Sequence, residues 1–150
     1  MAKRFFIFEK SISMKVLVMY IREFSWQPAE KNLESAENVS EGAVFSDAIL
    51  AFIQAEEKDE EKDIGSREKK LVNHLKWTAR KNNTKRVILH SFAHLSGSKA
   101  SVDFTKQLFD LAEIRLQNAE FETAQTPFGY FLDLKIDAPG FSLARIWADL

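Results

Sequence analysis

The chain contains no cysteine. That excludes a disulfide scaffold, a thiolate zinc site, an iron–sulfur cluster and a cysteine nucleophile. Glycine and proline are also scarce, at five and three residues in 150, so there is little linker material, and no internal repeat is present. No apolar run approaches the roughly 20 residues that cross a bilayer. The amino terminus has an apolar stretch of only Phe5-Phe6-Ile7-Phe8, against the about 7–15 residues of a secretory core. These absences imply a cytoplasmic protein without a membrane partner, in which the Asn38-Val39-Ser40 and Asn82-Asn83-Thr84 sequons are chance matches. Excess charge of one sign is missing too. Lysine and arginine number 21 against 22 aspartates and glutamates, for a formal net charge of −1. Bulk electrostatic binding of nucleic acid is thereby excluded, and a local basic patch is not.

What is present fits one domain of mixed structure. Hydrophobic residues make up 45% and charged residues 29%, as in ordinary globular proteins. Residues 3–8 read as a short strand, and Lys15-Val16-Leu17-Val18-Met19-Tyr20-Ile21 as a stronger one. Arg22 to Gly42 is polar and irregular and reads as a long loop. Residues 47–55 read as a strand. The eight charges from Glu56 to Asp63 read as a solvated loop. Ser66 is a candidate N-cap for a helix over 67–81 with Leu71, Leu75 and Thr78 on one face. Residues 86–90 form a short β-rich run. Ser101 caps a helix over 101–117 with the apolar stripe Phe104, Leu108, Leu111 and Ile114. Phe121–Ala124 is a candidate strand. Residues 130–136 alternate, with Tyr130, Leu132, Leu134 and Ile136 on one side. The tail 141–150 is open between strand and short helix. Strands interleaved with two helices predict an α/β or α+β domain.

Several patterns carry chemistry. His90-Ser91-Phe92-Ala93-His94 places two histidines four apart, but at a strand end and without the glutamate of a metalloprotease helix, so no metal site is expected. Ser96-Gly97-Ser98-Lys99 matches the S-x-x-K pattern of penicillin-binding enzymes. The partner motifs are absent, and a loop before a helix accounts for it. No phosphate loop and no G-x-G-x-x-G occurs, and no cofactor is implied. Lys76, Arg80, Lys81, Lys85 and Arg86 gather around Trp77. This group either tracks a phosphate backbone with a ring for stacking or is a solvated helix end. Phe92 and Phe128 stand beside turns with small neighbours, Ala93 and Gly129, where main-chain groups can approach a ligand.

Phe92-Ala93-His94-Leu95-Ser96 and Pro127-Phe128-Gly129-Tyr130, followed by Leu134-Lys135-Ile136 and Gly140-Phe141-Ser142-Leu143-Ala144, resemble the N-terminal editing domain of archaeal threonyl-tRNA synthetases. The resemblance runs from Met14 to about Trp147 and leaves residues 1–13 as an extension, an added strand or an upstream start, ahead of a domain over 14–150. It implies a D-aminoacyl-tRNA deacylase-like α/β fold, one curved mixed sheet covered by two helices. It also implies a homodimer, acting in trans on mischarged aminoacyl-tRNA, either L-serine on threonine tRNA or a D-amino acid, beside a threonyl-tRNA synthetase. In this family main-chain atoms bind the terminal adenosine and the aminoacyl group, and a water cleaves the ester with help from the ribose 2′-hydroxyl. Carried over, Ser91, Phe92, Ala93, Phe128, Gly129, Tyr130, Phe131, Leu132 and Arg145 would form the substrate site. His94 would be its catalytic side chain, and Lys76, Arg80 and Lys85 would contact RNA. The sequence departs from the pattern where the family has a second tyrosine and a lysine (here Phe131 and Leu132), a glutamate (here Arg145) and His-Ser-Asp (here Tyr20-Ile21-Arg22). Either the backbone carries the chemistry without those side chains, or the protein is a non-catalytic module for an adenosine-like ligand or a tRNA 3′ end. A plain structural domain of a larger synthetase is the third reading.

Overall fold

Val16, Leu17 and Val18 begin a strand because β-branched and aliphatic side chains suit a pleated surface buried on both faces. In the computed structural model, which describes residues 13–93, 95 and 97–150, this strand does not stop at Ile21. It continues as β1 over Lys15–Lys31. The expected loop from Arg22 is therefore strand for its first half. The polar residues Glu23, Ser25 and Gln27 are held by pairing rather than by burial of their own side chains. β2 (Ala43–Gln54) runs antiparallel along one edge as far as Trp26, and β5 (Tyr130–Asp137) along the other from Glu23 to Lys31. Pro28, which has no N–H, sits where the register with β5 shifts, a position that spares the ladder. Ahead of β5, the first five residues of β1 pair with β6 (Arg145–Asp149), so the ambiguous tail resolves into a 3₁₀ turn, Ser142–Ala144, and a strand. The strand expected over 3–8, and the extension 1–13 apart from Ser13, lie outside the described residues.

The remaining elements cross over the sheet. From β2 the chain passes through a single helical turn, α1 (Glu57–Glu60), and a long helix, α2 (Ile64–Lys81), into β3 (Arg86–Ser91), parallel to β2. A second helix, α3 (Val102–Asn118), leads to β4 (Glu122–Gln125), parallel to β3. The order is β4-β3-β2-β1-β5, with β6 beside the start of β1. The result is a curled mixed sheet with both long helices on one face. That face buries Val16, Val18, Ile49, Ile53, Val87 and Leu89 under Leu71, Leu75, Leu108 and Phe109. The other face has its own core of Ile21, Phe24, Trp26, Leu50, Phe52 and Ile88. In β1 the buried parity changes between Ile21 and Phe24, opposite Asp47, whose φ is 51°.

Three local expectations are corrected. Asp63, not Ser66, is the N-cap of α2; its side chain accepts from Ser66 N at 3.1 Å. On α3, capped by Ser101 as expected, the buried stripe is Thr105, Leu108, Phe109, Ala112 and Leu116, while Ile114 is 56% exposed. The stripe follows the i, i+3, i+4 spacing through Phe109 rather than through Ile114. The charged run is only partly solvated. Glu56 and Asp59 are fully buried, and Arg67 Nε lies 2.7 Å from Asp59 Oδ1. Asp59 enters the core with that guanidinium as its partner.

Candidate functional site

Two segments more than thirty residues apart meet beyond the carboxyl ends of the parallel strands. β3 ends at Ser91, and Phe92 N donates to Ile53 O at 3.0 Å. Thr126 N donates to Leu89 O at 3.0 Å and brings the turn after β4 alongside. Between them and the first turn of α3 lies a cavity of about 520 Å³. Ser91, Phe92, Ala93, Phe128, Gly129, Tyr130, Phe131 and Leu132 all line it. Sequence reasoning did not assign Asn32, Gln54, His90, Lys99 and Thr105, which line it as well. For two of these a signal existed, since His90 belongs to the H-S-F-A-H pair and Lys99 to the S-x-x-K match.

The walls are fixed from behind. Gly129 has φ +84°, and a Cβ there would stand 2.5 Å from Ala36 Cβ and 3.1 Å from Leu33 Cβ. Only glycine meets both demands at this turn. Its carbonyl accepts from Asn32 N at 2.8 Å, and the Tyr130 hydroxyl accepts from Val39 N at 3.0 Å. The 32–42 connection is thereby tied to the cavity rim. Phe128 packs on Phe109 with ring centres 5.4 Å apart, and Lys106 Nζ lies 5.7 Å from the Phe128 ring centre. Gln54, at the end of β2, is 3% exposed. Its side chain accepts from Leu95 N at 2.6 Å and donates to Ser98 O at 2.5 Å. One buried amide thus holds the segment that carries Lys99 to the cavity. Glu60 reaches Ser101 Oγ at 2.8 Å and Ser101 N at 3.1 Å and fixes the start of α3.

The cavity is electrostatically one-sided. Among the described residues that line it there is no aspartate or glutamate, and Lys99 is the one lysine or arginine. His90 is 8% exposed, and its ring meets Phe52 edge-on at 5.2 Å. Burial lowers its pKa to about 4, so the imidazole is neutral at physiological pH. Its Nδ1 lies 2.8 Å from Thr126 Oγ1. Among the described residues, no three metal-ligating side chains converge.

The other expected site residues lie elsewhere. Arg145 is exposed in β6, outside the cavity, with Nη1 donating to Pro139 O at 2.8 Å. His94 lies outside the described residues. Arg80 and Lys85 lie over the Phe121 ring, 5.9 Å and 4.7 Å from its centre, and Lys76 is on α2. Lys85 precedes β3, whereas Ser91 ends it, so this basic group stands about 17 Å or more from the cavity along the strand. Tyr20 and Arg22 do not line the cavity. Tyr20 donates to Asp47 Oδ1 at 2.6 Å, a bond that raises the phenol's pKa, and Arg22 Nε lies 3.1 Å from Asp137 Oδ1.

The family described as the Archaea-specific editing domain of threonyl-tRNA synthetase matches residues 14–150. The chain is 26% identical over 135 residues to a threonine–tRNA ligase of Thermococcus sibiricus, covering 89% of this chain and 22% of that protein. It is 26% identical over 137 residues to that of Staphylothermus marinus, with the same coverage of 89% and 22%. It therefore spans about a fifth of the length of these relatives. Among solved structures, the c-Myc DNA unwinding element binding protein superposes with a TM-score of 0.62 at 12% identity, covering 91% of this chain and 98% of that one. A probable eukaryotic D-amino acid tRNA deacylase superposes with a TM-score of 0.58 at 9% identity, covering 92% and 100%. At these identities the likeness shows the fold, which is of the D-aminoacyl-tRNA deacylase kind.

Proposed function

The chain belongs to the editing-domain family of archaeal threonyl-tRNA synthetase, and on that premise we propose that it hydrolyses the ester of mischarged aminoacyl-tRNA in trans, L-serine on threonine tRNA or a D-amino acid. The observation that supports this most is the meeting of Ser91-Phe92-Ala93 with Phe128-Gly129-Tyr130 around one cavity that no carboxylate lines among the described residues. Phe92 and Phe128 offer faces for the terminal adenine, and turns with small residues bring main-chain donors and acceptors close to ribose and aminoacyl groups. Water adds to the ester carbonyl carbon, with the ribose 2′-hydroxyl assisting. The C–O bond to the ribose then breaks, the ribose oxygen takes the proton, and amino acid and uncharged tRNA leave. His94 serves as the catalytic side chain, as the resemblance implies, and Lys76, Arg80 and Lys85 meet the phosphates further along the acceptor arm. The protein works in the cytoplasm as a homodimer beside a threonyl-tRNA synthetase. Exposed Phe141, Leu143 and Trp147 supply apolar surface for association.

The test is deacylation of seryl- and threonyl-tRNA for threonine and of one D-aminoacyl-tRNA, by the wild type and His94→Ala beside a no-enzyme control. Selective hydrolysis by the wild type is the expected result, and background rates on all three substrates refute the reading. One observation favours a second reading, a non-catalytic module for an adenosine-like ligand or tRNA 3′ end. Phe131 and Leu132 line the cavity where the resemblance implies tyrosine and lysine, and leucine supplies neither charge nor donor. Binding of uncharged tRNA without hydrolysis would decide for it.

A further inference from the structure

Among the described residues that line the cavity, His90 is the one side chain that is more than nine-tenths buried, titratable and bonded through a single ring nitrogen. Nδ1 is engaged by Thr126 Oγ1 at 2.8 Å. Nε2 has no hydrogen-bond partner among the described residues. The ring lines the cavity, and with Nδ1 engaged by Thr126, Nε2 is the ring nitrogen left for a ligand there.

Which nitrogen carries the proton follows from Thr126. This residue is 4% exposed, and His90 is the one partner of its hydroxyl among the described residues. If Nδ1–H donated to Oγ1, the buried Thr126 hydroxyl hydrogen would have no acceptor. An orphaned buried donor costs about 1–3 kcal/mol. If the hydroxyl donates to Nδ1 instead, both groups are satisfied and the ring proton resides on Nε2. The cavity then receives an N–H donor from a neutral ring. Among the described residues no carboxylate lines the cavity to compete for it. The rings of Phe52 and Phe92, at 5.2 Å and 6.2 Å from His90, limit its rotation.

We propose that His90 is a catalytic residue of this site, whose Nε2–H donates to the carbonyl oxygen of the substrate ester and to the negative charge that builds there as water adds, with Thr126 as the positioning residue that fixes its tautomer. The assignment rests on the deacylase reading and deepens it. A neutral donor suits this role. A fixed N–H stabilises an oxyanion more than the less polar ground-state carbonyl, and it does so without transferring its proton.

Nitrogen-15 NMR of the full chain at pH 7 should show His90 protonated on Nε2 and bare on Nδ1. Thr126→Val should shift that balance, and Thr126→Ser should restore it. Single-turnover deacylation by His90→Phe, whose ring replaces imidazole in the aromatic cluster, should fall about 10²–10³-fold with KM within a few-fold. Thr126→Val should lower the rate in proportion to the tautomer it loses. A wild type protonated on Nδ1 overturns the proposal. So does a folded His90→Phe that keeps the rate of an active wild type, and in that case the deacylase reading stands. A wild type inactive on every aminoacyl-tRNA overturns both. Should His90→Phe fail to fold, the Thr126 pair and the NMR tautomer decide alone.

Discussion

Charging His90 means placing a cation in a site 8% exposed, walled by Phe52 and Phe92 and sharing its cavity with Lys99 and, among the described residues, no carboxylate. Burial therefore holds its pKa at about 4, against about 6.5 in an unfolded chain. As the pH falls below 6.5 the unfolded chain takes up this proton first, so acid favours unfolding. The contribution is fully present above pH 6.5 and is lost progressively down to pH 4. From these two values the loss relative to pH 7 is about 0.7 kcal/mol at pH 6, about 2 kcal/mol at pH 5, and about 3 kcal/mol once the folded form is charged too. The assay is urea unfolding of the wild type and His90→Gln at pH 7, 6 and 5. Carboxylates are common to both proteins, as is His74, whose pKa burial also lowers, so they cancel in the difference. The wild type should lose about 2 kcal/mol more than the variant between pH 7 and pH 5. Parallel losses would refute the reasoning.

The Asp59–Arg67 pair should behave as a buried ion pair. Arg67→Met should cost about 3–5 kcal/mol because it strands the buried Asp59 carboxylate beside the fully buried Glu56. Asp59→Leu combined with Arg67→Met should recover most of that in urea melts, and a single-variant cost under about 1 kcal/mol would contradict the assignment. Gly129→Ala should destabilise by about 2 kcal/mol or more, from positive φ and the 2.5 Å approach to Ala36 Cβ. Thermal unfolding checks this, and an unchanged Tm would show that the turn relaxes. Lys76→Ala, Arg80→Ala and Lys85→Ala together should flatten the log–log salt dependence of tRNA binding by about 2–3. An unchanged slope in filter binding would place the RNA elsewhere.

The element order was legible because its signals are local. Val16–Val18, Val87-Ile88-Leu89 and the Ser101 cap each declare their structure within a few residues. The second half of β1 was not legible, because Arg22–Lys31 is held by two partners, β2 and β5, that neither composition nor periodicity reveals. The charged run misled for the same reason, since Asp59 finds its counter-charge on another helix. At the site, the motif residues Phe92, Ala93, Phe128, Gly129 and Tyr130 do line one cavity. His90, Gln54 and Lys99 matter through distant partners, Thr126 for His90 and the Leu95–Ser98 backbone for Gln54, and such partners exist only after the chain has folded back. Arg145 failed to join them because β6 pairs with the start of β1, away from the cavity.

That pairing of β6 with β1 has a kinetic side. Leu150 N donates to Met14 O at 2.8 Å, and Lys15 pairs with Asp149, so the ladder that completes one edge of β1 closes a loop containing nearly all the described chain. Loop-closure entropy rises only slowly with length, by about 0.6 kcal/mol per doubling, but contacts this distant in sequence slow folding. On a ribosome β6 is the last of these strands to emerge. Until then the apolar start of β1 has β2 on one side and an open edge on the other, and during that interval the nascent domain is most exposed to strand exchange with a second chain.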